Sequence, residues 1–285
     1  MSWRRRLRAI ASGLGLEGAY DRSKKIAGLD PRRVLRAARF GRLNRGAADD
    51  EIVLRPGLRL RIDPSSREPF EHFCFRSLEM ADELDAFLRQ ATRFDRFLDV
   101  GACHGIFSLA FVHGRPQARA LAVEPSPAAF EILAGNAARN RAANLAIAQT
   151  ALGAGAGTVR MRRSWHHLEA LGESEADADA VAVCVRSMDD FCAERGFQPD
   201  VIKIDVEGFE HAVLLGARAV LERERPYLFL EVHPRRLAEL GSSTSDLAAL
   251  LTEHRYRFQA VSGRAMGLPG FVSRDGVFRA LCAPL

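Results

Sequence analysis

The chain has no apolar run approaching the roughly 20 residues that a membrane-spanning helix needs. Its first stretch, "MSWRRRLRAIASGLGLEG", starts basic, but Ser12, Gly13 and Gly15 break the apolar part, which makes it a poor secretory signal. Cysteine is scarce and scattered. The five residues Cys74, Cys103, Cys184, Cys192 and Cys282 form no CxxC pair and no metal-ligand spacing, which points to buried thiols in a reducing compartment rather than a disulfide framework. These absences lead us to expect a cytoplasmic protein. Internal repeats and low-complexity tracts are also missing. What is present is the composition of an ordinary globular protein, 47% hydrophobic and 27% charged over 285 residues, enough for one large core with an appendage.

Charge is unevenly spread. Residues 1–45 carry 13 Lys or Arg against 3 acids, whereas the remainder holds 28 bases against 33 acids. The basicity therefore belongs to the leader, which we expect to be partly helical and solvated, with peripheral contact to an anionic membrane surface as its other reading. Its only aromatic residues are Trp3, Tyr20 and Phe40, too sparse to stack nucleic-acid bases. We divide the chain into this leader (1–45), an extension (46–92) and a main domain (93–285).

In the extension, residues 51–63 alternate around Pro56-Gly57 as a hairpin does, and residues 77–91 put Leu78, Met80, Ala81, Leu84, Phe87 and Leu88 on one helical face. From residue 97 onward, strands alternate with helices. "FLDV" leads into a glycine turn and a helix, "ARALAVEP" is the next strand, and "SPAAFEILAGNAARN" is a helix capped by Ser126. "NLAIAQTAL" reads as a third strand. "TVRMRRS" could pair with "AVAVCVRSM" around the acidic excursion "WHHLEALGESEADAD". Then come the strand "DVIKIDV", the helix "EGFEHAVLLGARAVLER", the strand "PYLFLEVH" and a helix with Ser245 as cap. This alternation predicts an α/β fold with a mostly parallel sheet covered by helices on both faces, and a ligand crevice beyond the carboxyl ends of the strands.

The candidate site residues lie at those strand ends. In "DVGACHG", Gly101 and Gly105 are four apart with no third glycine, so the spacing is not that of a pyrophosphate-binding turn. Asp99 precedes them, and an acid there suits a cationic ligand such as the sulfonium or ammonium of a methionine moiety. Glu124, about 20 residues beyond the turn, suits the two ribose hydroxyls of an adenosine. Asp205 and Glu207 end the fourth strand two residues apart, which would set both on one face. Glu231 and His233 end the fifth, and imidazole is the side chain whose ordinary pKa lies nearest neutrality.

"FLDVGACHG", "LAVEPSPAAFEILAGNAARN", "QTALG", "SMDDF", "VIKIDVEGFEHAVLLGA" and "RPYLFLEVHP", in this order over residues 93–234, resemble the FkbM family of S-adenosylmethionine-dependent methyltransferases. The resemblance implies a class I, Rossmann-like methyltransferase fold with seven strands, the last antiparallel. It implies S-adenosyl-L-methionine as cofactor, with Asp99, Gly101, Ala102 and Gly105 lining its methionine end, Glu124 on the ribose, and Ala151 and Leu152 near the adenine. The family often has Asn where this chain has Cys103. The resemblance further implies O-methylation of a hydroxyl on a sugar or natural-product-type small molecule.

For the chemistry, the expectation is that Asp205 or His233 takes the hydroxyl proton while Glu207 and Glu231 orient acceptor or base, with no metal required. A variant in which Asp205 and Glu207 hold a divalent cation is the alternative. A nucleic-acid methyltransferase gripping phosphates with the leader is disfavoured by the acidic main domain and by the lack of an Asn/Asp-Pro-Pro-Tyr/Phe tetrapeptide. A non-catalytic S-adenosylmethionine-binding module is a third reading, and the glycine spacing disfavours a dehydrogenase.

Overall fold

The computed structural model describes residues 30–163, 168–170, 180–261 and 266–285. Most of the basic leader and most of the acidic excursion lie outside the described residues. The chain divides into two compact units, the first ending at Asp85 and the second running from Ala86 to Leu285.

In the first unit, α1 (Pro31–Leu43) starts where the Asp30 carboxylate accepts from the Arg32 amide, with Pro31 in the first turn. Asn44, just past its end, both donates to and accepts from the Val53 backbone at 3.0 and 2.7 Å. Those bonds hold the helix against the hairpin of β1 (Glu51–Arg55) and β2 (Leu58–Arg61), antiparallel as the alternation predicts. A short α2 (Arg67–Glu71) and a π-helical turn (His72–Arg76) lead into α3 (Leu78–Gln90), within which the division after Asp85 falls; it buries the predicted Ala81 and Leu84 before that point and Phe87 and Leu88 after it.

The second unit holds a seven-stranded sheet. Its strands are β3 (Arg96–Val100), β4 (Arg119–Val123), β5 (Leu145–Ala148), β10 (Val201–Ile204), β11 (Tyr227–Val232), β12 (Tyr256–Ala260) and β13 (Phe278–Pro284). They lie in the order β12-β13-β11-β10-β3-β4-β5, with β13 antiparallel to both neighbours and the remaining pairs parallel. This is the class I, Rossmann-like methyltransferase topology. A smaller sheet, ordered β6-β9-β7-β8, is built from β6 (Ala151–Gly153), β7 (Gly157–Arg163), β8 (Leu168–Ala170) and β9 (Val181–Ser187). The predicted pairing of 157–163 with 181–187 is there, antiparallel.

The helices of this unit are α4 (Ile106–Val112), α5 (Pro127–Arg139), α6 (Met188–Arg195), α7 (Glu210–Leu215), α8 (Arg218–Arg223), α9 (Pro234–Glu239), α10 (Thr244–Glu253) and α11 (Leu268–Val272). One face of the sheet packs Phe97 and Phe229 with Phe87, Phe107 and Phe111, the Phe87 ring lying 4.9 Å from Phe97 and 5.4 Å from Phe229. The other face joins Leu98, Val100, Ile202, Ile204, Leu228 and Leu230 to the apolar sides of α7, α8 and α10. With both faces covered, the strands read as continuous apolar runs.

Three expectations are corrected. Residues 144–152 are not one strand: among the described residues β5 is the edge of the sheet, and the chain leaves it at Gln149 to pair with β9 as β6. The helix expected over 207–223 breaks at Gly216, where a Cβ would stand 1.9 Å from the Gly153 carbonyl oxygen. And Ser243 rather than Ser245 caps α10, accepting from the Asp246 amide at 3.1 Å.

Candidate functional site

Strand order reverses between β3 and β10, and in sheets of this kind the ligand crevice lies beyond the carboxyl ends of the strands at that point. The turn after β3 enters it. Gly101 has φ +80° and Gly105 φ +87°, both left-handed. Their glycines answer to the chain itself: a Cβ on Gly101 would lie 1.9 Å from the Asp205 carbonyl oxygen, and one on Gly105 2.5 Å from Leu133 Cδ1. Four of the turn's amides are committed within the chain. Gly101 and Ala102 both donate to Val123 O, Gly105 to Ala102 O, and Cys103 to Glu124 Oε2 at 2.8 Å.

Glu124, at the end of β4, is buried and holds its carboxylate between two backbone donors, Cys103 N and Ser126 N, each at 2.8 Å. Burial pushes its pKa up to about 7, against those two hydrogen bonds. Each oxygen keeps a lone pair for a hydroxyl donor. Asp99 lies deeper. Its Oδ2 accepts from Ser108 Oγ at 2.6 Å, it faces Lys203 across the β3–β10 register, and burial raises its pKa to about 6. Ala151 and Leu152 are buried in β6, in the smaller sheet rather than in the third strand.

The second group gathers at the ends of β10 and β11. Asp205 bonds the buried Lys203 Nζ at 2.9 Å. Burial works against its ionisation, but Lys203, His233 and Arg279 outweigh that and hold its carboxyl below the usual range. β10 ends at Ile204, so Asp205 and Glu207 do not share a strand face as expected. Glu207 instead sits in a turn at φ +51°, which carries its Oε2 to 3.1 Å from His233 Nε2. Glu231 is paired with Arg279, its register partner on β13, and lies 3.8 Å from His233 Nε2. His233 bonds Glu210 Oε1 through Nδ1 at 2.7 Å. Burial opposes the charge on the ring, but Glu210, Glu207 and Asp205 together raise its pKa to about 9.

Asp205, His233, Glu207 and Glu231 thus come together at the ends of β10 and β11. Asp205, Glu231 and His233 bring donor atoms within 4.8 Å of one another, a spacing a divalent cation could bridge. Each donor already has a protein partner: Lys203, Arg279, and the Glu210–Glu207 pair. Four participants escaped sequence reasoning in these roles. Ser108, Glu210 and Arg279 carry no local signal, since their partners are set by packing or by the β11–β13 register. The fourth, Lys203, is a buried charge inside an apolar strand, and only the fold shows that it pairs with Asp205.

Among the described residues, no helix is long and apolar enough to cross a membrane. No curated protein matches the chain. Among solved structures, it is similar to methyltransferase FkbM from Methylobacillus flagellatus KT, at 20% identity and TM-score 0.43, over 66% of this chain and 43% of that one. The chain thus spans less than half the length of that relative. It is also similar to an O-methyltransferase from Bacillus cereus in complex with SAH (12%, TM-score 0.45, 78% and 90% covered). Aeropyrum pernix fibrillarin with natively bound S-adenosyl-L-methionine is a third (15%, TM-score 0.40, 66% of each chain). At these scores the likenesses carry no argument about function. The family model described as "Methyltransferase FkbM domain", however, matches residues 99–258, from the acid before the glycine turn to a residue of β12. That segment is more than half of the sequence, and the chain belongs to the FkbM methyltransferase family.

Proposed function

We propose that the chain uses S-adenosyl-L-methionine to methylate a hydroxyl oxygen on a sugar or natural-product-type small molecule. The observation that carries this is the contact between the Gly101 backbone and the Asp205 carbonyl. It sets the turn and Glu124, suited to an adenosyl ligand, directly against a cluster of acids and an imidazole suited to a hydroxyl. The bound cofactor supplies an electrophilic methyl on a cationic sulfur. Glu124 holds the ribose hydroxyls, the Asp99–Ala102 and Gly105 turn lines the methionine end, and Ala151 with Leu152 lies on the adenine side. With the carboxylates of Asp99 and Glu124 beside it, the turn fits a cation bearing hydroxyls.

On the acceptor side, His233 Nε2 takes the hydroxyl proton. Asp205, held ionised by Lys203, is a weak base and works by its charge, stabilising the imidazolium that forms. Glu207, half-exposed at 30%, orients the acceptor, and the Glu231–Arg279 pair fixes the wall behind it. No metal is needed, since lysine and arginine already neutralise the carboxylates a cation would bind. The acidic lining also disfavours a polyphosphate such as nucleic acid. We read residues 93–285 as the methyltransferase domain, with 1–45 and 46–92 as additions to it.

Incubation of the protein with methyl-labelled S-adenosylmethionine and cell extract, followed by identification of the labelled compound, tests the reading. Label on a small molecule's ether oxygen is expected, at a rate insensitive to EDTA. Label only in nucleic acid, or loss of turnover on chelation with recovery on adding magnesium, would overturn it in those respects. Titration calorimetry with no heat from the cofactor or its demethylated product would remove the cofactor assignment.

A further inference from the structure

Glu210 opens α7, a place where an acid ordinarily lies in solvent and balances the helix dipole. Here it is fully buried. Its Oε1 accepts from the Gly208 amide at 2.9 Å and meets His233 Nδ1 at 2.7 Å, while its buried Oε2 has no hydrogen-bond partner among the described residues. A buried carboxylate with one oxygen left unbonded is costly, and a hydrophobic side chain would fill the space more cheaply. An ionised Glu210 can only accept, which makes His233 Nδ1 the donor of this bond. The ring's other nitrogen is then the one directed at the half-exposed Glu207, 3.1 Å away.

We infer that Glu210 is a positioning residue for the proposed methyl transfer: it holds Nδ1–H of His233 and so presents Nε2 to the acceptor hydroxyl. This rests on the functional reading above. The proton passes from the acceptor oxygen to Nε2, the ring becomes an imidazolium, and the bond between Nδ1 and Glu210 Oε1 is kept. Charged groups face the ring from every side: Glu210 on α7, Glu207 in the turn after β10, Asp205 with Lys203 behind it, and Glu231 with Arg279 of β13 behind it. Acids outnumber bases around it, so in the resting protein Nε2 is protonated and pairs with Glu207. Transfer waits for that proton to leave, and the rate climbs as pH approaches about 9, where the ring titrates.

The test is nitrogen NMR of the full-length protein labelled in histidine, with His233 assigned by its absence from His233→Gln. The proposal expects Nδ1 to stay protonated from pH 6 to 10 while Nε2 loses its proton near 9. In Glu210→Gln the titration should fall by about one unit or more, the size expected for losing a buried charge at contact distance. The rising limb of the turnover profile with labelled S-adenosylmethionine should move with it, and Glu210→Asp should restore part of the shift. Wild-type His233 titrating near its ordinary pKa of about 6.5, or carrying its neutral-form proton on Nε2, overturns the proposal even if no Glu210 variant folds. A turnover profile that stays put in Glu210→Gln overturns it as well. Cofactor calorimetry on the same sample separates the two levels: absence of binding strikes the functional reading, whereas the ring measurement still decides the role of Glu210.

Discussion

Gly101 sits where the chain passes over the carbonyl of Asp205, and no other residue type fits at φ +80° with 1.9 Å to that oxygen. Gly101→Ala is expected to destabilise the protein by about 3 kcal/mol or more, in denaturant melts of the ligand-free chain. An unchanged melt with lost cofactor binding would mean that a ligand, and not the chain, requires the glycine. Glu124 offers a test by pH. Burial raises its folded pKa to about 7, above the ordinary carboxyl value, so its protonated form favours the folded state. That stability is complete below an unfolded pKa of about 4.3 and is lost as pH climbs to the folded value. The slope of stability against pH across this window should flatten in Glu124→Gln, whatever the variant's absolute stability. Cofactor affinity should fall about 30-fold, from some 2 kcal/mol of charge-assisted hydrogen bonding to the ribose. His233 adds a second slope, at higher pH. Its raised pKa makes it stabilising below about 6.5, with that contribution gone once pH passes about 9.

At the scale of elements, the informative places are where a continuous pattern is interrupted. α7 and α8 would be one helix by periodicity, yet Gly216 lets the chain bend until it touches Gly153 of β6. Gly216→Val should cost about 3 kcal/mol or more in chemical unfolding, because the backbone oxygen opposite has nowhere to go. The capping of α10 gives a finer contrast. Ser243→Ala removes the bond to the Asp246 amide and should cost about 1 kcal/mol, while Ser245→Ala, at an exposed position inside the first turn, should stay within about 0.5 kcal/mol. Equal effects at the two serines would return the cap to Ser245. Glu207 belongs here as well: the strand's end at Ile204 and the left-handed turn after it, rather than strand alternation, bring this acid to His233.

For the whole molecule, the decisive feature is where the sheet changes direction. β10 runs beside β3, although about a hundred residues separate them in sequence, and this adjacency, with β4 on one side and β11 on the other, assembles Asp99, Lys203, Asp205, Glu124 and His233 into one region. β13 closes the design by pairing antiparallel on both sides and burying Ala280, Leu281 and Cys282. Truncation before Phe278 should expose the β11 edge and remove Arg279 from Glu231, leaving a chain that unfolds without cooperativity or aggregates, as seen by calorimetry and light scattering. Much of this was legible beforehand. Alternating apolar strands and capped helices follow from side-chain periodicity, and acids and glycines at strand ends mark the ligand edge of a parallel sheet. The split of 144–152 was not legible, because nothing local says that β5 is an edge. Nor was Glu210, whose burial depends on α7 turning its first residue under His233.

The order of strands and helices, the chain's place in its family, and the residue types at the crevice were determined by the sequence alone, because burial pattern and turn chemistry are local properties. Which of those residues touch was decided only by the tertiary structure. Strand neighbours, register and left-handed turns are long-range outcomes of packing. They bind Asp205 to Lys203, Glu231 to Arg279 and His233 to Glu210, and so set the charge that each group carries.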